Sequence, residues 1–195
     1  DEINKLINET QLSNNYETTI FKLKVCFQFS GAMRITELHK LKYKDLNVEA
    51  LDDSQINHKI AIRPETSKGK KGGIVYIQTK YLVYYLKFLN SLNKKIREQI
   101  INNEITIWCN TTREHFSRDF YRQTRRILGK EKLTTHSLRH TRCTNLLISG
   151  LSLPETSKFM RHENEETTLV YYHLIKEDIS EALENLDKKI VGGKK

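Results

Sequence analysis

The apolar residues of this 195-residue chain follow a helical period over most of its length and depart from it most clearly between His58 and Gln78. Before that interval, "NYETTIFKLKVCFQFSG" places Ile20, Leu23 and Phe27 on one helix face and reaches a helix stop at Gly31. "MRITELHKLKYKDL" then repeats Ile35, Leu38 and Leu41 at i, i+3 and i+6, a helix running into a loop. Inside the interval, "HKIAIRPETSKGKKGGIVYIQ" alternates β-branched residues on both sides of a Gly- and Lys-rich turn, the pattern of a hairpin or small sheet. The helical period returns in "KYLVYYLKFLNSLNKKIREQI", followed by "ITIWC" as a short buried strand and "REHFSRDFYRQTRRILGK" as a basic amphipathic helix. From "THSLRHTRCTNLLISG" onward the spacing predicts short helices broken at Gly150 and Pro154. A last helix over "KEDISEALENLDKKI" follows, with Ile179, Leu183, Leu186 and Ile190 on one face and Asp178 as its cap. With only two prolines in the chain, the expected fold class is mainly α with a small antiparallel β-sheet or hairpin (α+β).

Length and composition fit a single globular domain of ordinary size: 29% of residues are charged and 37% hydrophobic. No apolar run approaches the ~20 residues of a membrane-crossing helix, so no membrane partner is expected. The start, "DEINKLINET", has neither an initiator Met nor a signal-like pattern, and predicts a fragment whose N-terminal domain is missing. A formal charge of +9 points to a polyanionic partner, although a basic proteome would produce the same balance. Three widely spaced cysteines, Cys26, Cys109 and Cys143, form neither a disulfide framework nor a CxxC zinc pattern, and predict a reducing, cytoplasmic setting.

Four clusters carry residues suited to chemistry. Arg34 and Glu37, three apart, would share a helix face; alone they also fit a surface ion pair. Lys68 begins the basic turn "SKGKKGG", which lacks the order of a Walker loop and by itself reads as a solvated hairpin tip or a phosphate-backbone contact. "THSLRHT" carries His136, Arg139 and His140. The i, i+4 histidines lack both the Glu of an HExxH site and a third ligand, so no metal is expected. "RHENEETTLVYYH" sets His162 nine residues before Tyr171 and ends in two adjacent tyrosines.

In this order the clusters resemble the catalytic domain of the tyrosine recombinases, the phage-integrase and Xer-like family. "SGAMRITELHKLKYKDL" resembles that family's "tGlRisEl…L.w.Di" segment, which implies its first arginine at Arg34 and its acid at Glu37. "SKGKKGGIVYI" is similar to the hairpin that carries the family's lysine, at Lys68, with Lys70 and Lys71 as competitors. "THSLRHT" is similar to H-x-x-R-H-t, implying His136 and Arg139. "MRHENEETTLVYYH" is similar to "LGHssi.TT.iYtH", implying His162 and a nucleophile at Tyr171, with Met160-Arg161 in place of Leu-Gly. The resemblance implies the tyrosine-recombinase catalytic-domain fold over residues 1–175, and a C-terminal helix and tail over 176–195 that is exchanged between subunits or folds back as a lid. It also implies a double-stranded DNA recombination site as partner and a homo-oligomer, a tetramer, on that DNA.

The chemistry agrees with the resemblance. Cutting DNA without metal or cofactor requires a nucleophile, charge neutralisation around phosphorus and an acid for the leaving oxygen. Arg34 and Arg139 would grip the nonbridging oxygens through planar forks, and His162 would add a donor. Lys68 would protonate the 5′ oxygen. His136 would take the phenol proton or hold the phosphate, and Glu37 would orient Arg34 or His136. Tyr171 would form a 3′-phosphotyrosyl link that religates without ATP. Tyr172, about 100° further round the helix, cannot face the same phosphate. The alternatives are a type IB topoisomerase-like DNA relaxase and a catalytically inactive DNA-binding module of the same fold.

Overall fold

The computed structural model describes residues 2–67, 71–109 and 111–173. They divide into two compact units between His140 and Thr141, with the division falling inside one helix.

The first unit is built around α2 (Asn15–Ser30), which follows α1 (Glu2–Glu9). The Asn14 side chain accepts from the Glu17 amide at 2.8 Å and starts α2, satisfying one of the orphan donors of its first turn. Gly31 ends it, as the spacing predicts. Ile20, Phe21, Leu23, Val25, Cys26 and Phe27 are all buried, so α2 is covered on several faces rather than on one stripe. It packs on α1, on the short α3 (Ile35–His39), on α4 (Thr79–Ser91) and on the second strand of the sheet. Phe27 meets Trp108 and Tyr85 edge-on, with ring centroids 5.4 and 6.1 Å away, in the geometry the aromatic quadrupole favours.

The predicted hairpin is present. β1 (Asn57–Ile62) pairs antiparallel with β2 (Gly73–Gln78), in register from Asn57 opposite Gln78 to Ile62 opposite Gly73. Strand alternation turns His58, Ile60 and Ile62 of β1, and Val75 and Ile77 of β2, into the core. The expected single helix after β2 is instead two, α4 and α5 (Lys94–Ile101). They separate because Asn93 turns its side chain to accept from the Ile96 amide and opens a new helix.

"ITIWC" is not a strand. Residues 107–109 form a turn, Cys109 has a left-handed backbone at φ 52, and the segment's cross-chain backbone bond runs from the Ile107 amide to the Leu41 carbonyl. The run is buried because Trp108 is a core residue whose indole donates to the Leu38 carbonyl at 2.6 Å. α6 (Arg113–Leu128) starts at the Thr112 cap, packs on α1 and ends at Gly129 with φ 64, a conformation glycine adopts without penalty.

α7 (Thr135–Ile148) runs from the first unit into the second. In the second unit, α8 (Leu153–Met160) opens with a reciprocal Ser152–Glu155 capping box. Pro154 lies in its first turn, where a missing amide donor costs nothing, so this proline begins a helix rather than breaking one. Residues 166–173 are again helical. The expected C-terminal helix lies outside the described residues. Among the described residues no helix is long and apolar enough to cross a membrane.

Candidate active site

Arg34 and Glu37 are not two residues of one helix face. Arg34 is the extended residue immediately before α3, and Glu37 is the third residue inside it. Glu37 reaches back so that one carboxylate oxygen accepts the Arg34 amide at 2.8 Å and the other accepts its guanidinium at 2.9 Å. The carboxylate is buried while the arginine stays about a quarter exposed, so the fork is anchored from its buried side.

Arg139, on α7, is 3% exposed and donates to the carbonyl of Ala32 in the loop that leads into Arg34. That loop turns through Ala32 in a left-handed conformation, φ 46. Arg139, distant in sequence, is thus fastened to the turn that ends in Arg34. His136 lies one helical turn before Arg139. Burial lowers its pKa below the ordinary imidazole value, and the charges of Arg139 and Arg34 lower it further. His140 stands edge-on to His136 with ring centroids 4.3 Å apart, its pKa lowered by burial, then by His136 and Arg139. Burial and the two guanidiniums thus favour the neutral form of the His136 ring. Among the described residues no group of three His, Cys, Asp or Glu side chains is arranged to hold a metal ion.

Lys68 lies outside the described residues, as does Lys70; the ends of their loop are described. Arg63 bonds Asp45 at 2.9 Å, Glu65 at 2.6 Å and the Lys40 carbonyl at 2.6 Å, which pins the end of β1 to the segment after α3. Ser67 donates to the Lys71 carbonyl across the loop. Gly72 is needed there for its size, since a Cβ would come within 2.9 Å of the Ile62 carbonyl.

The second unit carries His162 and Tyr171. His162 follows α8, and its Nδ1 lies 2.7 Å from the Thr168 hydroxyl. Tyr171 is half-buried on the helical segment 166–173, whereas Tyr172 is 40% exposed on another side of it. Arg161 ends α8 in a left-handed conformation, φ 54 and ψ 45. The departure from Leu-Gly therefore has a backbone consequence beside its charge: an arginine occupies a conformation in which glycine is unstrained.

Sequence reasoning missed the Ala32 carbonyl, the Arg63–Asp45 latch and Thr168. The Ala32 contact is a main-chain group and leaves no mark in residue identity. Thr168 did carry a signal, since it precedes Tyr171 by three residues in a helical stretch and so shares its face.

Against known proteins, the model of the phage integrase family matches residues 1–178. A tyrosine recombinase of Pseudothermotoga lettingae is 26% identical over 185 residues, covering 95% of this chain and 58% of the relative. Tyrosine recombinase XerC of Thermodesulfovibrio yellowstonii is 30% identical over 172 residues, covering 82% and 51%. This chain thus spans little more than half the length of these curated relatives. Among solved structures, XerH bound to a palindromic difH substrate in a post-cleavage complex superposes with a TM-score of 0.71 at 20% identity, over 95% of this chain and 52% of that one. XerA superposes with a TM-score of 0.69 at 23% identity, over 95% and 62%. The mainly helical fold with its two-stranded sheet is that of these recombinases, and with the family model matching nearly the whole chain, the chain belongs to the phage integrase family.

Proposed function

We propose that this chain is the catalytic part of a site-specific tyrosine recombinase that cleaves and rejoins double-stranded DNA through a 3′-phosphotyrosyl intermediate. The observation that carries the reading is the anchoring of Arg34 by Glu37 and of Arg139 by the Ala32 carbonyl two residues before Arg34, with a neutral-leaning His136 beside them. Two guanidinium forks held by a buried carboxylate and a carbonyl suit the nonbridging oxygens of a phosphodiester. They would neutralise the charge that builds at phosphorus in the transition state.

In this reading Tyr171 attacks phosphorus, and the P–O bond to the 5′ oxygen breaks as the new P–O bond to tyrosine forms. His136 takes the phenol proton, Lys68 gives a proton to the leaving 5′ oxygen, and His162 donates to a nonbridging oxygen. One phosphodiester replaces another, so the reverse attack by a partner strand's 5′ hydroxyl rejoins DNA without ATP. Family membership supports a double-stranded recombination site as substrate and a homo-oligomer on it, a tetramer in the family's usual form.

The test is a nicked suicide duplex carrying the binding site, incubated with the full-length protein. We expect a covalent, protease-sensitive adduct from the wild type and from Tyr172→Phe, and none from Tyr171→Phe. An adduct that survives Tyr171→Phe would overturn the nucleophile. Rapid relaxation of plasmids lacking the site, with no exchange products, would replace the recombinase reading with a relaxase.

A further inference from the structure

We propose that Thr168 is a positioning residue that holds His162 as a hydrogen-bond donor toward the scissile phosphate, an inference that rests on the function proposed above. Thr168 is fully buried, and its hydroxyl lies 2.7 Å from Nδ1 of His162. A helical threonine commonly turns its hydroxyl to the carbonyl four residues back. Thr18, Thr19 and Thr124 do so, bonding Asn14, Asn15 and Phe120 at 2.9, 2.8 and 2.9 Å. Thr168 bonds its amide to the Glu165 carbonyl at 2.8 Å, in the turn that starts the helical segment, and turns its hydroxyl to the imidazole.

The direction of that bond matters. A neutral imidazole has one N–H, and a phosphate oxygen can only accept. His162 serves the phosphate when its proton sits on Nε2, which leaves Nδ1 as a bare acceptor. A hydroxyl not committed to the helix carbonyl has its proton free to donate, and donation to Nδ1 selects the Nε2–H tautomer. With the opposite tautomer a lone pair would face the phosphate oxygens. Thr168 also lies one turn before Tyr171, on the same face of the segment 166–173. The backbone that carries the attacking oxygen therefore also sets the orientation of the histidine, and both belong to the second unit.

The experiment uses the full-length protein with ¹⁵N-labelled histidine. In the wild type, the neutral His162 ring should show its proton on Nε2 and an unprotonated Nδ1. Thr168→Val, which keeps shape and removes the hydroxyl, should lose that tautomer preference. It should also lower single-turnover cleavage of the suicide duplex about 10-fold with DNA affinity unchanged, within the range typical of residues that orient a functional histidine. Thr168→Ser should restore both. A wild-type His162 protonated on Nδ1, or Thr168→Val cleaving at the wild-type rate, would overturn the inference. If Thr168→Val does not fold, the wild-type tautomer and the Thr168→Ser rate decide it. Tyr171→Phe run in parallel separates the two claims: a surviving adduct there sinks the proposed function. Loss of that adduct beside a wild-type rate in Thr168→Val sinks only the role of Thr168.

Discussion

Arg139 donates a guanidinium N–H to the carbonyl oxygen of Ala32, 107 residues earlier in the chain and two residues before Arg34. The bond ties α7 to the turn that closes α2, where Ala32 adopts φ 46 as its amide bonds the Phe29 carbonyl and the Met33 amide bonds the Gln28 carbonyl. One nitrogen of the fork is thereby committed to the protein's own backbone.

This backbone anchor predicts the behaviour of Arg139→Lys. A lysine keeps the charge but presents a single ammonium, which cannot bond the Ala32 carbonyl and bind phosphate in fork geometry together. Single-turnover cleavage of the suicide duplex should fall on the order of 10²–10³-fold, with DNA affinity nearly unchanged. A lysine variant within a few-fold of wild type would contradict the fork argument.

Glu37→Gln tests the anchor of the other arginine. The amide can still accept from Arg34, but the buried charge that holds the guanidinium is gone. We expect cleavage to drop about 10-fold and urea-measured stability to fall by about 1–3 kcal/mol, because a buried polar group changes its partners. Unchanged cleavage together with reduced stability would make Glu37 a helix cap and nothing more.

The pH dependence of cleavage should report His136. Its folded pKa lies below the ordinary 6.5, because of burial first and then of Arg139 and Arg34. If the neutral ring takes the phenol proton, kcat/KM rises with pH through that lowered value and is level above it. The acid limb should therefore be centred below about pH 6.5 and be absent in His136→Asn. A limb centred above that value would remove His136 from this role.

Lys24 makes a prediction about stability alone. It is 1% exposed, its amine partners are the Thr111 hydroxyl at 2.5 Å and the His39 ring at 3.2 Å, and it lies over Phe116 and Trp108. Burial lowers its pKa from 10.5 to about 7, against the weaker opposing influence of Cys109 and Asp119. His39 is itself pushed down to about 4, by burial and then by Lys24, so it stays neutral. Between about pH 7 and 10.5 the unfolded chain therefore binds the extra proton, and stability rises with pH across that window. Below pH 7 the destabilisation is fully present, on the order of a few kcal/mol. Relative to Lys24→Met, wild-type stability should climb by that amount from pH 7 to 10, as read by denaturant melts. A pH-independent difference would mean that the amine is not buried as a neutral group.

The sequence by itself determined much of the fold. Apolar spacing marked α2 to its end at Gly31, the alternation around "SKGKKGG" marked the β1–β2 hairpin, and the basic periodic stretch marked α6. Each of these rests on side chains a few residues apart, which is the range over which local geometry dictates structure. The same rules failed where distant packing decided. "ITIWC" looks like a strand because it is apolar and β-branched, yet Trp108 seats against Phe27 and Tyr85, and among the described residues no strand pairs with it.

The candidate site divides along the same line. The order of the motifs, through their resemblance to the family's, singled out Arg34, Glu37, Lys68, His136, Arg139, His162 and Tyr171 as candidates, because residue types and spacing are written in the chain. Only the tertiary structure decided that Glu37 caps Arg34 rather than lying beside it, and that Arg139 is tied to Ala32. It also decided that Thr168 turns its hydroxyl to His162. Those are contacts of backbone groups and of hydroxyls with several possible partners. Which partner is taken depends on where the rest of the chain brings the atoms, and no residue code records that.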